Sequence, residues 1–436
     1  MKISRRESAA LISSLSGGVV PRIGLRHIAV GREREIMSFL EDLQTVQEDG
    51  AACRFISGEY GSGKTFLLQL IRANALDRKF VVMDADLTPE RRLTGTKQQG
   101  LATYRELMQN ASVRTRPEGG ALESIIQKWI AGVQQKAATE QQLSISDPEL
   151  VPAVSSLIQK ELLPLSELAY GFAFTAVLEA YWVGMKTQDD LKKQAALRWL
   201  RGEYSTKTEA KKDLPVDRII DDQNWYDFLK LFARFVTMAG YEGLIIFIDE
   251  CVNLYKITSE VSRKANYEKI LTIFNDTRQG KASRIGFFFG GTPAFITDER
   301  RGLYSYGALR SRLLANRFVA EGVHDFHAPV MTIPMLTSEE LFLLLERLLD
   351  VHESFYNYES GLNSEHITRF LENELSRVGA LSRMTPRELT RDWLGLLSIL
   401  QQNPDTNFET LLGLSSQARE AEEKEENDDI FSSFTL

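Results

Sequence analysis

One octapeptide limits what this chain can fold into more than any other feature. Gly58-Glu59-Tyr60-Gly61-Ser62-Gly63-Lys64-Thr65 reads G-x-x-x-x-G-K-T, and it lies between the apolar run Ala52–Ser57 and the helical stretch FLLQLIRANAL from Phe66. A strand that runs through a glycine-rich loop into a helix predicts a phosphate loop. The glycines let the backbone wrap an anion so that successive N–H groups point inward. Lys64 can reach the outer phosphates, and the Thr65 hydroxyl can ligate Mg²⁺. The helix that starts here adds its positive N-terminal end. The predicted nucleotide-contacting residues are Gly58, Glu59, Tyr60, Gly61, Ser62, Gly63, Lys64, Thr65 and Phe66.

The rest of the chain supplies strands to match. Phe80–Asp84, Gly243–Ile248 and Arg284–Phe289 are continuous apolar runs separated by helical patterns, and Val330–Ile333 is a fifth candidate. Such runs suggest a parallel sheet buried on both faces, an α/β fold whose polar residues gather at the C-terminal strand ends. The third run ends in Asp249-Glu250. An acid at the tip of a buried strand beside a phosphate loop can hold the Mg²⁺ shell, and that role falls to Asp249. Glu250 can orient the attacking water, which favours hydrolysis over passive binding.

Roughly 155 residues separate the second and third strands, far more than a crossover needs. Most of them show helical spacing: Gln98–Asn110, Gly120–Ala138, Glu149–Met185, Asp189–Glu203 and Trp225–Ala239. They predict a helical insertion over about 97–240, either packed on the core or forming its own unit. From Thr337 the chain is again helical, with capping boxes at Thr337–Glu340 and Thr385–Glu388. The expected organisation is an arm over 1–30, a core over 31–336, a helical lid over 337–415 and an acidic, disordered tail over 416–436.

Composition bounds the function. At 436 residues the chain is too long for one ordinary core. Two cysteines, Cys53 and Cys251, exclude a disulfide framework and point to a reducing, cytoplasmic setting; both are expected to be inert buried thiols. The N-terminal MKISRRESAALISSLSGG gives no expectation of a secretory signal. Leu168–Met185 is the best membrane candidate, but it carries Glu179 and reads as a buried helix. Net charge is −8, unevenly spread: residues 1–37 hold seven basic against three acidic residues, and 263–317 eleven against four. A basic stretch can bind phosphate on a nucleotide or a nucleic acid, although most such stretches are solvated surface. Arg419–Asp429 holds seven acids, followed by Phe431 and Phe434. That segment reads as a solvated terminus or as a peptide that docks on a basic partner.

Three further places along the chain carry readings of their own. Thr292, after Gly290-Gly291, can face a γ-phosphate or simply end a strand in a Gly-Thr-Pro turn. Arg310 or Arg312 can serve as a finger toward a neighbouring subunit's nucleotide, or lie exposed on a helix. Arg387, in the first turn of a capped helix, is placed to approach the γ-phosphate from the lid. His324 and His327 stand three apart with no further ligands, and read as a loop rather than a metal site.

In order, these parts resemble the additional-strand P-loop ATPases of the AAA+ kind. Gly58–Thr65 matches Walker A and Ile245–Glu250 matches Walker B. Thr292 corresponds to sensor 1, Ser311-Arg312 to the arginine finger and Pro386-Arg387 to sensor 2. Val30-Gly31-Arg32-Glu33 is similar to the segment that cups adenine, which implies ATP as ligand, with Mg²⁺. A narrower likeness rests on Arg54–Phe66, Tyr104-Arg105-Glu106-Leu107-Met108 and Arg116–Leu122. These are similar to the ATP-binding proteins of bacterial anti-phage islands, the BREX BrxD kind and the related Shango ATPase. The likeness covers most of residues 1–400. It implies a defence role, a superfamily 2 helicase or other island proteins as partners, and double-stranded DNA as a further candidate partner. It does not extend to a winged helix after the lid, since the lid uses up Thr337–Leu412.

The leading expectation is therefore an Mg-dependent ATPase that assembles with itself or a helicase on DNA, with no membrane. The competing class is a nucleotide-gated scaffold with little turnover. A protein remodeller ranks last, because no aromatic-hydrophobic pore loop is visible.

Overall fold

The computed structural model describes residues 3–144, 147, 149–318, 325–375 and 385–413. The acidic tail and His324 lie outside the described residues. Five strands, β1 (Ala51–Ser57), β2 (Val81–Asp86), β3 (Leu244–Asp249), β4 (Ile285–Gly291) and β5 (Val330–Thr332), form one sheet in the order β2-β3-β4-β1-β5. Every pairing is parallel. Helices in chain order are α1 (Arg5–Ser16), α2 (Glu33–Gln47), α3 (Lys64–Asp77), α4 (Gln99–Gln109), α5 (Leu122–Gln141), α6 (Leu150–Ser166) and α7 (Gly171–Lys186). They continue with α8 (Asp190–Leu200), α9 (Lys207–Asp213), α10 (Trp225–Met238), α11 (Val252–Tyr255), α12 (Glu260–Arg278), α13 (Pro293–Thr297) and α14 (Gly307–Leu313). The last three are α15 (Ser338–Tyr356), α16 (Ser364–Leu375) and α17 (Pro386–Gln402). None of the helices in the described residues is long and apolar enough to cross a membrane.

The described residues fall into two compact units. One is drawn from Met1–Glu33, Gly58–Leu70 and Ile333–Leu436, the other from Arg34–Ser57 and Ile71–Thr332. The phosphate-loop segment thus groups with the arm and the C-terminal helices, although its strand belongs to the sheet. A division drawn along the chain cannot show this.

The larger unit holds the sheet and the insertion. All seven residues of β4 are buried, because successive side chains alternate faces and both faces are covered. Phe287 and Phe289 share one face, where Phe289 stacks on Phe55 at 5.2 Å and Phe287 meets Tyr226 of α10 at 5.9 Å. Phe288 points the other way, stacked on Phe247 at 5.4 Å and edge-on to Phe39 of α2 at 5.3 Å. The insertion thus covers one face and α2 the other. Arg54 is tolerated in buried β1 because its guanidinium binds Asp42 of α2, at 2.7 and 3.0 Å, and the carbonyls of Phe326 and Ala328.

Of the two readings of the insertion, packing on the core is the one observed. Helices α4 to α10 share one continuous hydrophobic cluster with the sheet, built around Trp129, Phe174, Trp199, Trp225 and Phe235. Phe235 meets Trp129 at 5.3 Å and Phe174 at 6.0 Å. Burying an aromatic of this size is worth roughly 2–3 kcal/mol, so these rings hold much of the insertion in place. The segment Glu149–Met185, expected as one helix, breaks into α6 and α7 at Tyr170, whose φ is 64°. The Leu168–Met185 stretch contributes Phe174, Val177, Leu178 and Tyr181 to this core. Its hydrophobicity serves packing.

The smaller unit has its own core, in which Leu11 and Leu15 of α1 meet Leu345 and Leu348 of α15, Phe370 of α16, and Trp393 and Leu397 of α17. Phe370 lies 4.8 Å from Trp393, and the Trp393 indole donates to the Leu345 carbonyl at 3.1 Å. Capping boxes start α1, α15 and α17, at Ser4–Glu7, Thr337–Glu340 and Thr385–Glu388. Each cap contributes about 1 kcal/mol and fixes where its helix begins.

Candidate functional site

The glycine loop takes the backbone course that its composition requires. Gly61 and Gly63 have φ of +84° and +87°, values that side chains rarely adopt. A Cβ on Gly58 would stand 2.3 Å from Ser62 Oγ, and one on Gly61 would stand 2.7 Å from Thr385 Cγ2. At Gly63 a Cβ would meet nothing within 4 Å. The loop is thus crowded on its protein side and open at Gly63. Lys64 Nζ donates to the carbonyls of Gly58 and Glu59, both at 2.8 Å, and so lies across the loop. Ser62 Oγ is buried with no hydrogen-bond partner among the described residues. Thr65 is exposed in the first turn of α3, Tyr60 is 74% exposed, and Phe66 packs on the core of the smaller unit. An open glycine cradle, a lysine across it and a helix N-terminus behind it fit a phosphate chain.

Arm and lid residues surround the loop within the same unit. Arg32 is 5% exposed; it donates to Ser62 O at 3.2 Å, to Pro334 O at 2.7 Å and to Gly31 O at 3.3 Å. Val30 is buried, and Gly31, at φ +64°, lies so close to Glu340 that a Cβ would sit 1.8 Å from its Oε1. Arg347 of α15 donates to Ala29 O. Arg387 is exposed in the first turn of α17, and its Cγ and Cδ lie 3.7 Å from where a Gly18 Cβ would be. The structure therefore gathers the loop, Val30, Gly31 and the start of Arg387's helix in one unit. Sequence reasoning missed the roles of Arg32, Glu340, Arg347 and Thr385. Arg32, Glu340 and Thr385 were marked only as members of the adenine-side segment and of two capping boxes, and Arg347 by nothing; their further targets are backbone atoms or neighbours distant in sequence.

In the larger unit the acids gather at the C-terminal edge of the sheet. Asp249 ends β3 opposite Asp86 of β2. Glu250 follows with φ 56°, and its N–H donates to Asp249 Oδ1 at 2.8 Å. Leu87 N–H donates to Asp249 O, and Cys251 N–H to Gly290 O, both at 3.0 Å, which fixes the turn after β3. Burial, with Asp249, Asp84 and Glu250 nearby, pushes the Asp86 carboxyl up to about 6. Asp86 was missed because the second strand was expected to stop at Asp84; the ladder runs two residues further. Among the described residues, no group of three or more His, Cys, Asp and Glu is arranged to hold a metal by itself.

The remaining predicted residues also lie in this unit. Thr292 follows β4 directly and caps α13, accepting from Phe295 N–H at 3.3 Å. Arg310 binds Glu299 at 2.6 Å, and Arg312 binds Asn275 Oδ1 at 2.9 Å and Ala308 O at 2.7 Å; both are exposed on α14. Much of the basic stretch is spent internally. Arg263 and Arg301 donate to Ile257 O, Lys264 pairs with Glu260, and Arg284 pairs with Asp49. Cys53 and Cys251 are free and buried; burial pushes the Cys53 thiol up to about 12 and raises Cys251 well above its ordinary value.

A family model described as BREX system ATP-binding protein BrxC/D matches residues 3–416. No curated protein matches the chain.

Proposed function

We propose, from the premise that this chain belongs to the BREX system ATP-binding protein family BrxC/D, that it is a magnesium-dependent ATPase with an AAA+-like core. Family membership implies a role in phage defence. In this reading the N–H groups from Gly61 to Thr65 bind the phosphates, and Lys64 neutralises the outer ones. Thr65 and Asp249 would hold the magnesium, which supplies positive charge to the β- and γ-phosphate oxygens. A magnesium ion usually takes one or two carboxylates plus substrate phosphates, so the lack of an all-protein cage among the described residues is in keeping with it. Glu250 orients the water, and Thr292 lies at the next strand end for the γ-phosphate side. Val30 and Gly31 flank the base, Arg387 approaches from the lid, and Arg312 of a neighbouring copy acts as the finger.

The observation that carries this reading is the opening at Gly63, within a loop crowded at Gly58 by Ser62 and at Gly61 by Thr385. Support also comes from the strand order. The strand that feeds the loop, β1, and the strand that ends in Asp249, β3, flank β4 and point the same way, so their C-terminal ends share one sheet edge. A second reading, a nucleotide-set switch with little turnover, is favoured by the contact of Gly61 with Thr385 at the start of α17.

Nucleotide binding and turnover of purified protein separate the two. Lys64→Ala should lose ATP binding. Glu250→Gln should keep it and lose turnover roughly 10²–10⁴-fold. Unchanged hydrolysis in Glu250→Gln would remove that residue from the mechanism, and negligible turnover in the wild type would leave the switch. Adding double-stranded DNA, or a superfamily 2 helicase of the same island, while following rate and particle mass tests those partners and self-assembly.

A further inference from the structure

Besides the expected place of Val30 and Gly31 beside the base, the end of the arm carries hydrogen bonds and contacts of its own. Residues 29–32 are tied on one side to the phosphate loop and on the other to the lid. Arg347 of α15 holds the Ala29 carbonyl, and Glu340 of α15 closes over Gly31. Arg32 bridges Ser62 O, between the two left-handed glycines of the loop, and Pro334 O, just before the Thr337 cap of α15. We propose that Arg32 is a positioning residue that makes this segment a strap, so that the state of the phosphate loop sets the position of the lid. The inference rests on the ATP-binding reading above and adds how binding is transmitted.

Three features favour a strap over simple packing. A buried guanidinium must satisfy several donors, and those of Arg32 include bonds to the carbonyls of Gly31, Ser62 and Pro334. A peptide carbonyl moves with its backbone, so reorientation of the Ser62 peptide around a bound phosphate would be felt at Pro334 through one rigid planar group. Both carbonyls are reached by the same nitrogen, Nη2, so the two backbone segments are joined through a single donor group. The loop also lies against the C-terminal helices at a second point, through Thr385 beside Gly61, so it is linked to the starts of both α15 and α17.

The test is amide hydrogen exchange across 338–356 and 386–402 in the full chain, with and without ATP and magnesium, beside a nucleotide-affinity titration. In wild type, nucleotide should slow exchange in these helices about tenfold. In Arg32→Ala the nucleotide-free rates should stay close to wild type and ATP should still bind, within about tenfold of wild-type affinity. The nucleotide-induced slowing should fall below about twofold. A lid that responds in Arg32→Ala as it does in wild type would overturn the proposal. If Arg32→Ala fails to fold, Arg32→Met, which keeps much of the side-chain volume and loses every donor, takes the same comparison with the same two outcomes. A wild type that binds no ATP would instead sink the functional reading, and Lys64→Ala, with no binding and no slowing, sets that baseline.

Discussion

Glu250 stands at φ 56°, a left-handed conformation that costs a side-chain-bearing residue roughly 1 kcal/mol or more. The neighbouring peptides are bonded to Leu87, just after β2, and to Gly290 of β4, so the turn has little freedom to relax. Glu250→Gly is therefore expected to stabilise the protein by about 0.5–1 kcal/mol in urea unfolding while abolishing ATP turnover. A loss of stability in that variant would mean the carboxylate makes contacts that outweigh the strain. His352 gives a second prediction at this scale. It is fully buried in the lid between Tyr358 Oη at 2.9 Å and Ser398 Oγ at 3.4 Å, and burial holds its imidazole down at about 4. Above pH 6.5 the ring is neutral whether folded or not. Between 6.5 and about 4 the unfolded chain takes up a proton that the folded lid refuses, so stability falls with pH across that window. The loss approaches about 3 kcal/mol. His352→Gln should flatten this part of the pH–stability curve, read by thermal melting from pH 7.5 to 4.5; an unaltered slope would exclude the residue as its source.

Helix α3 illustrates how an element with one recognisable end can have a second role at the other. Its N-terminus carries Lys64 and Thr65. Its later turn carries Arg72, 2% exposed, which binds Asp84 of β2 at 3.0 Å, and Ser112 Oγ and Pro117 O at 2.7 Å each. Asn110 adds a bond to the Asp84 carbonyl at 2.9 Å. The loop leading into α5, which carries Arg116–Gly120, is thus latched to β2 and α3. Removing one partner of a buried ion pair leaves the other uncompensated, so Arg72→Ala should cost about 3–5 kcal/mol. Limited proteolysis should then open first within 110–120. The helical character of α3 was legible from its apolar spacing, but Arg72 looked like an ordinary helix residue because Asp84, Ser112 and Pro117 lie 12 to 45 positions away.

For the molecule as a whole, the continuity of one core between sheet and insertion has a thermodynamic consequence. Tyr226 of α10 lies on Phe287 of β4, and Phe235 of the same helix meets Trp129 and Phe174 inside the insertion. Phe235→Ala is expected to cost roughly 3–5 kcal/mol and to destabilise sheet and insertion in one transition. Separate early melting of the insertion, seen by exchange of amides in α5 to α8 at unchanged protection of β3 and β4, would contradict it. Replacing residues 97–240 by a short linker should give insoluble protein, since the face of Phe287 and Phe289 loses its cover.

The chain's local order announced its local structure. Four buried strands, the glycine loop, the acids after β3 and two helix caps each follow from residues adjacent in sequence, because pleat, helix period, turn and cap are short-range properties of the backbone. Asp86 was nearly within reach and was lost to an end assignment of two residues. Only the tertiary structure decided that the loop groups with arm and lid, that Arg32 spans Ser62 and Pro334, and that the insertion shares the sheet's core. Those links end largely on backbone carbonyls and on ring faces. Every residue has a carbonyl, so the acceptor that a distant arginine will find carries no signature in the sequence; it is selected when the folded chain brings one such group, out of hundreds of equivalents, within reach of the donor.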